Sequence, residues 1–296
     1  MGLAIHDIKF LIATRLRGAD FSSVATLGKQ SLLVAPEDIY PYVKFADPSL
    51  SKERFDERTR ADSGYATGVL EVLGAKHVTS FDASSYEGCS VVHDMNQELP
   101  AGQRGKYSAV IDGGTLEHVF NIPQALKNSM DLLAIGGTFV GYSPGNNYFG
   151  HGFYQFSAEL FFRCFSAPNG FEIVDVYCWE RSPKSKWYQI KDPRSTGERA
   201  EFNGIRELTI AVAARKISEK NVFSTVPQQS DYVQRWSPND GRTAIGSSGK
   251  GLAGRVAKLR SRARRWLERR AFDPRLFEVR DPDEVLRTLA AGKEST

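Results

Sequence analysis

Five short apolar runs rich in β-branched residues, at residues 24–28, 77–82, 90–93, 109–112 and 137–142, alternate with stretches of helical character. No other feature constrains the fold as much. Strands separated by helices form βαβ units, and these build a parallel sheet covered by helices on both faces. Helices are expected at 63–73, stopped at Gly74, and at 122–133, stopped before Gly136-Gly137; glycine ends a helix by taking the left-handed conformation. After the fifth strand come a helix over 157–165 with Ser157 at its N-cap, then apolar runs at 172–179 and 207–214. The last two read as a closing hairpin. The expected fold is α/β: a doubly wound, mostly parallel sheet of seven strands with an antiparallel closing hairpin, followed by a C-terminal helical tail.

Segment 181–206, rich in Lys, Arg, Pro and Ser, is too long for an ordinary hairpin loop and reads as a surface excursion. Residues 217–250 have the Ser, Gln, Pro, Asn and Gly composition of a linker. The expected organisation is therefore a compact domain over 1–216, a flexible linker over 217–250 and a tail over 251–296. In the tail Leu252, Val256, Leu259, Ala263 and Trp266 recur at helical spacing among arginines, which makes 251–270 a basic amphipathic helix. Such a helix either lies on an anionic membrane or docks on its own domain with a solvated charged face.

Charge follows the same division. Residues 217–296 carry 16 Lys and Arg against 10 Asp and Glu, a net of +6, which leaves −2 for the first 216. The main domain thus offers no surface for sequence-specific nucleic-acid binding. No apolar run reaches the ~18–20 residues of a membrane span. The first sixteen residues, carrying Asp7, Lys9 and Arg15, lack a secretory cleavage site, so a cytoplasmic location is expected, peripheral to the inner face of a membrane if the tail adheres to it. Three scattered cysteines argue against a disulfide framework, and no metal site is expected.

Two neighbouring strands end in acids. Residues 77–82 close on Asp82, and residues 90–93 are followed by Asp94-Met95-Asn96. In a doubly wound sheet these positions lie along the ligand-binding edge, where a carboxylate can accept ribose hydroxyls or an adenine amine while Met95 packs on the ring. Each acid also reads as the start of a turn, Asp82 through Ala83-Ser84-Ser85 and Asp94 through Met95-Asn96. The fourth strand opens into Ile111-Asp112-Gly113-Gly114-Thr115-Leu116-Glu117-His118-Val119. Two glycines directly after a strand permit close approach of backbone or ligand.

With these residues in view, 107–119, then 125–133, then Gly136-Gly137-Thr138-Phe139-Val140 resemble the fourth strand, helix and fifth strand of class I S-adenosylmethionine-dependent methyltransferases, which have a Rossmann-like fold. The likeness covers about residues 20–214. It implies S-adenosyl-L-methionine as cofactor. It places Gly28 on the first glycine of the loop after strand one, Asp82 on the ribose-binding acid, and Asp94 with Met95 on the adenine pair. Asp112 and Gly113 fall beside the methionine moiety. The chain departs from the pattern at Thr26-Leu27-Gly28-Lys29-Gln30-Ser31, where one glycine stands for several. There Gln30 is a candidate partner for the cofactor's carboxylate or ammonium, and Lys29 for its carboxylate. Asp82 follows Gly28 by 54 positions rather than about 20; the inserted stretch around 40–62, with Tyr42, Phe45 and Phe55, is either a lid over the site or a structural flap.

The loop after the fifth strand carries Asn146, Asn147, several aromatics and His151 between Gly150 and Gly152. It emerges at the ligand edge, with residues suited to hydrogen-bond and stack an acceptor. Methyl transfer to a hydroxyl needs a base, and His151 and His118 are the histidines near that edge. His151 alternatively caps a backbone carbonyl, and His118 alternatively ends a helix. The function these readings imply is in-line methyl transfer to oxygen or nitrogen of a small-molecule or carbohydrate acceptor, glycan modification included. The alternative is a binding scaffold of the same fold that has lost its cofactor. A nicotinamide oxidoreductase is disfavoured, since no G-x-G-x-x-G follows strand one.

Overall fold

The computed structural model describes residues 2–61, 64–100, 102–236 and 272–293. Five strands form the parallel part of the main sheet: β2 (Ser23–Leu27), β4 (His77–Asp82), β5 (Val91–Val92), β6 (Tyr107–Gly113) and β7 (Leu133–Pro144). The closing hairpin is β8 (Phe171–Glu180) with β10 (Leu208–Lys216), antiparallel to each other, and β10 is antiparallel to β7. A short β1 (Gly2–Leu3) pairs with β3 (Ser31–Leu32) in a separate ribbon. The α/β doubly wound expectation is met, and β4 has the expected ends.

The sheet sits between two apolar layers because strand side chains alternate in direction. In β6, Val110 enters one cluster while Ala109 and Ile111 enter the other; in β10, Ile210, Val212 and Ala214 oppose Ala211 and Ala213. One layer includes α5 (Ile122–Leu132) and α6 (Ala158–Cys164). The other includes α1 (Ile5–Leu16), α2 (Pro36–Val43), α3 (Lys52–Ala61) and α4 (Thr67–Val72), which is shorter than the helix expected over 63–73. The Asp7 carboxylate accepts a 2.7 Å hydrogen bond from the Ala4 N–H at the start of α1, which settles one of the donors a helix N-terminus leaves open.

The edge beyond the hairpin differs from expectation. Among the described residues the main sheet has nine strands, in the order β11-β9-β8-β10-β7-β6-β2-β4-β5, against the seven expected. The extra two are β9 (Trp187–Ile190), from within the expected surface excursion, and β11 (Phe277–Arg280), from the expected tail. Trp187 explains the first: its indole is fully buried, stacked on Trp179 with ring centroids 5.5 Å apart, so the polar stretch around it is anchored by one large apolar group. α7 (Pro282–Lys293) then packs on α1, where Lys9 Nζ meets Asp283 Oδ1 at 2.6 Å. The ordered fold therefore continues past residue 216, with Val222 buried and residues 272–293 returning to the sheet edge. The basic amphipathic stretch 251–270 lies outside the described residues. No helix among the described residues is long and apolar enough to cross a membrane.

The insertion after β3 packs as structure, since Ile39, Val43, Leu50 and Phe55 are buried in the α1 layer. It reaches the cavity described below at Leu33, Val34, Asp38 and Tyr42.

Candidate functional site

The carboxyl ends of β5, β4, β2 and β6 bring the proposed cofactor residues to one rim. Leu27 pairs with Phe81 and with Asp112, and Asp82 pairs with Val92, which sets Gly28, Asp82 and Asp94 on adjacent strand ends. The Gly28 N–H donates to Phe81 O at 2.6 Å, and the His93 N–H to Asp82 O at 2.7 Å. The Asp82 carboxylate is half-buried and accepts a 3.3 Å bond from the Ser84 N–H. Asp94 is exposed and takes the turn geometry. Its Oδ1 accepts from the Asn96 N–H at 2.9 Å and from Asn96 Nδ2 at 2.7 Å, and these bonds hold its pKa below the ordinary value. Met95 departs from expectation: its side chain is buried in the core with Phe81 and Leu99, not presented to a ring above the rim.

Gln30 departs too. It is buried, and its Nε2 donates inward to the carbonyls of Leu27 and Gly28, so no donor remains for a cofactor carboxylate. Its Oε1 is buried without a partner. The amide is pressed against Gly113, where a Cβ would stand 2.0 Å from Oε1; only glycine allows that approach. Lys29 lies over the Tyr65 ring at 3.9 Å.

Two further buried oxygens lack partners, Asp112 Oδ2, on the residue before Gly113, and Glu117 Oε2, on the carboxylate whose Oε1 lies 3.0 Å from where a Gly114 Cβ would stand. Asp112 is fully buried at the end of β6, and its Oδ1 accepts from the Thr115 N–H at 2.8 Å. Burial raises its pKa against the opposing pull of the Thr115 and Leu116 N–H groups. Glu117, in the 3-10 turn Leu116–His118, is 2% exposed; burial first, and then the neighbouring Asp112 charge, raise its pKa as well. This pair of acids was legible only in part. Asp112 stood out as a strand-end acid, whereas Glu117 lay inside a familiar-looking motif.

His118 and His151 come together, their rings 4.9 Å apart in an edge arrangement. His151 Nε2 lies 3.4 Å from Glu117 Oε1, with the imidazole 52% exposed. Burial and then the His151 charge lower the pKa of His118, which keeps it neutral and able to accept a proton near pH 7. The loop that carries His151 is latched to the turn: the Phe153 and Tyr154 N–H groups donate to Glu117 O at 2.7 and 3.3 Å. Gly152, at φ +69°, makes the latch possible, because a Cβ there would meet Glu117 O at 2.8 Å. Asn146 and Asn147 are not available to an acceptor. Their side-chain amides donate to the carbonyls of Phe202, Gly204 and Arg206.

Gly113, Gly114, Glu117, His118, Ser143 and His151 form one wall of a cavity of about 970 Å³. The N-terminal segment and the hairpin line the same cavity, with His6, Asp7, Lys9, Trp179 and Arg181. Phe149, 99% exposed, and the Phe120–Phe153 edge pair, 5.9 Å between centroids, stand in and beside the loop that carries His151.

No family model matches the chain, and no curated protein matches it. Solved structures with partial likeness include the 1,6-didemethyltoxoflavin-N1-methyltransferase of Burkholderia thailandensis, with bound 1,6-didemethyltoxoflavin and S-adenosylhomocysteine. It is 14% identical, with 72% of this chain and 78% of that one covered, at a TM-score of 0.41. The N-methyltransferase NodS of Bradyrhizobium japonicum WM9 is 12% identical over 72% and 96%, at 0.40. A branched-chain polyamine synthase mutein of Thermus thermophilus, in complex with N4-aminopropylspermidine and 5'-methylthioadenosine, is 12% identical over 75% and 59%, at 0.39. Overlaps of this size decide neither fold nor activity; both are read from the chain's own strands and side chains.

Proposed function

We propose that the protein is an S-adenosyl-L-methionine-dependent methyltransferase that acts on an oxygen or nitrogen of a small-molecule or glycan acceptor. One observation carries the reading: Gln30 Oε1, pressed against Gly113, and Asp112 Oδ2 are buried and unpartnered at the carboxyl ends of β2 and β6. Buried acceptors without donors are costly. A ligand bearing positive charge and N–H donors at this point would relieve them, and the sulfonium and α-ammonium of the cofactor meet that description. Asp82, on the adjacent strand end, is the ribose ligand in this arrangement.

The cofactor supplies an activated methyl group. The chain's task is placement, holding the acceptor atom in line with and about 3–3.5 Å from that methyl. The cavity volume of 970 Å³ lies within the ~300–1,000 Å³ usual for small-molecule sites. Phe149 and Phe153 give a sugar or ring a face to stack on. His151, with His118 behind it, receives the acceptor's proton or fixes the acceptor by hydrogen bonding.

A second reading rests on Gln30, whose inward side chain fills the space that a fuller glycine loop would leave to a cofactor; on that reading the sheet is a binding scaffold. Calorimetric titration with S-adenosylhomocysteine separates the two. Micromolar or tighter binding that weakens in Asp82→Ala, with an unchanged apo melting temperature, supports the enzyme; no binding supports the scaffold. With an acceptor identified by gain of one methyl in mass spectrometry, His151→Ala should lower turnover more than cofactor affinity, and unaltered turnover removes it from the mechanism. Membrane contact through residues 251–270 is a separate proposal, tested by flotation with anionic vesicles.

A further inference from the structure

Glu117, His118 and His151 each bring one ligating atom into a group in which all such atoms lie within 4.8 Å of one another. Two nitrogens and a carboxylate oxygen at the mouth of a cavity are the donor set of open divalent-metal centres, which take three protein ligands and leave further positions to water or substrate. The one ion-pair contact resolved within the group has a spacing that suits an ion held between the two atoms. A charge-assisted N–H···O bond closes to about 2.7–2.9 Å, yet His151 Nε2 and Glu117 Oε1 stand 3.4 Å apart. Two metal–ligand bonds of about 2.0–2.2 Å meeting at a tetrahedral angle place their donor atoms about 3.4 Å apart.

A second observation points the same way. Glu117 is 2% exposed, and its Oε2 has no hydrogen-bond partner. A carboxylate withdrawn from water needs a cation or donors; His151 Nε2 approaches only Oε1, at 3.4 Å, and Oε2 is left without a partner. The surroundings also fix the group before any ion arrives: the Phe153 and Tyr154 N–H latch on Glu117 O holds the His151 loop against the turn that carries Glu117 and His118. Such fixing by neighbours is what a metal centre needs from its outer contacts.

We propose that Glu117, His118 and His151 bind one divalent transition-metal ion of the zinc or manganese class, with its open positions facing the cavity. Binding itself is independent of the methyl-transfer reading. What the ion would do there rests on that reading: it would hold an acceptor hydroxyl and lower its pKa, the proton leaving to water in the cavity, and with the ion bound His118 and His151 would act as its ligands in place of accepting the proton themselves. The expectation of no metal site came from the cysteine count, which says nothing of a histidine–carboxylate set assembled across a loop.

The test uses the full chain, stripped with a chelator and titrated with Co2+, whose visible absorption reports nitrogen and oxygen ligation. One Co2+ per chain, displaced by Zn2+, is the expected result. His151→Ala and Glu117→Gln should each weaken binding by at least the roughly 10–100-fold that loss of an outer partner costs. The double variant His118→Ala/His151→Ala should abolish the absorption, while His77→Ala, at the far end of β4, should leave it unchanged. His151 lies on an exposed loop, so its variant remains informative should Glu117→Gln fail to fold. No Co2+ binding at millimolar concentration, or binding that survives the double variant, overturns the proposal. Titration of the same protein with S-adenosylhomocysteine keeps the outcomes separate: cofactor binding together with failure to take up Co2+ sinks this inference alone, and Co2+ uptake together with failure to bind cofactor sinks the methyl-transfer reading alone.

Discussion

Gly113→Ala tests whether the packing of Gln30 against the end of β6 is as tight as the geometry requires. The new Cβ would stand 2.0 Å from Gln30 Oε1, 2.9 Å from its Cδ and 3.0 Å from Leu3 Cδ2, where ordinary contact begins at 3.4 Å. The amide must therefore retreat by more than about 1 Å, beyond reach of the Leu27 and Gly28 carbonyls. A buried donor left unpaired costs about 1–3 kcal/mol. With the pressure on Leu3 added, the variant should lose about 2–3 kcal/mol, within the usual range for overpacking. Gln30→Ala alone should cost about 1 kcal/mol or less, because it removes an unpartnered Oε1 and because Thr115 Oγ1 also donates to Leu27 O. In the Gln30→Ala background, Gly113→Ala no longer meets the amide, so the double variant should recover about 1–2 kcal/mol relative to additivity. Urea unfolding followed by circular dichroism reads the three midpoints at a common slope. Additivity within about 0.5 kcal/mol would mean that the two residues do not press on each other, and the account of Gln30 would be wrong.

Trp187→Ala should cost about 3–5 kcal/mol, because the ring is fully buried against Trp179 and Tyr177 and its Nε1 donates to His6 Nδ1 at 3.1 Å; a loss below about 1 kcal/mol in thermal or urea unfolding would return 181–206 to the status of a surface loop. Asp7 gives a pH prediction. Burial pushes its pKa up to about 7, against the Ala4 N–H and Arg181, from about 3.9 in the unfolded chain. The folded state thus holds the proton more tightly, so this contribution is fullest below pH 4 and is lost as pH rises to 7, by at most about 4 kcal/mol at ~1.4 kcal/mol per unit. Asp7→Asn keeps an acceptor for Ala4 and should flatten stability between pH 4 and 7; an unchanged slope in urea midpoints across that range would show that Asp7 does not titrate with folding.

Legibility in the sequence followed the range of the interactions involved. β4 ends where its apolar run ends at Asp82, and α5 starts and stops within a residue of expectation, because strand alternation and helix stops are local signals. The rim of Gly28, Asp82 and Asp94 follows from strand order alone. Gln30 did not follow, since its carbonyl faces Gly113, 83 positions onward, and nothing near residue 30 announces that neighbour. Met95 looked available because a residue just past a strand end usually is; the packing of Phe81 and Leu99 around it decides otherwise. The sheet edge failed to show for the same reason. Trp187 sits in polar sequence and β11 beyond a linker-like stretch, so neither run has the length or pattern of a strand until the other is beside it. His151 was visible through its flanking glycines, but its meeting with Glu117 depends on a latch between residues 36 positions apart.

The joining of α1 to α7 has a consequence for the order in which the molecule comes together. Lys9 finds Asp283 only after some 270 further residues have been added. At ribosomal speeds of about 5–20 residues per second, that is a wait of roughly 14–55 s. For that interval the first helix must rest on the growing sheet with its outer flank uncovered. Nascent chains should therefore leave the first helix open to protease until residues 282–293 emerge and clasp it shut.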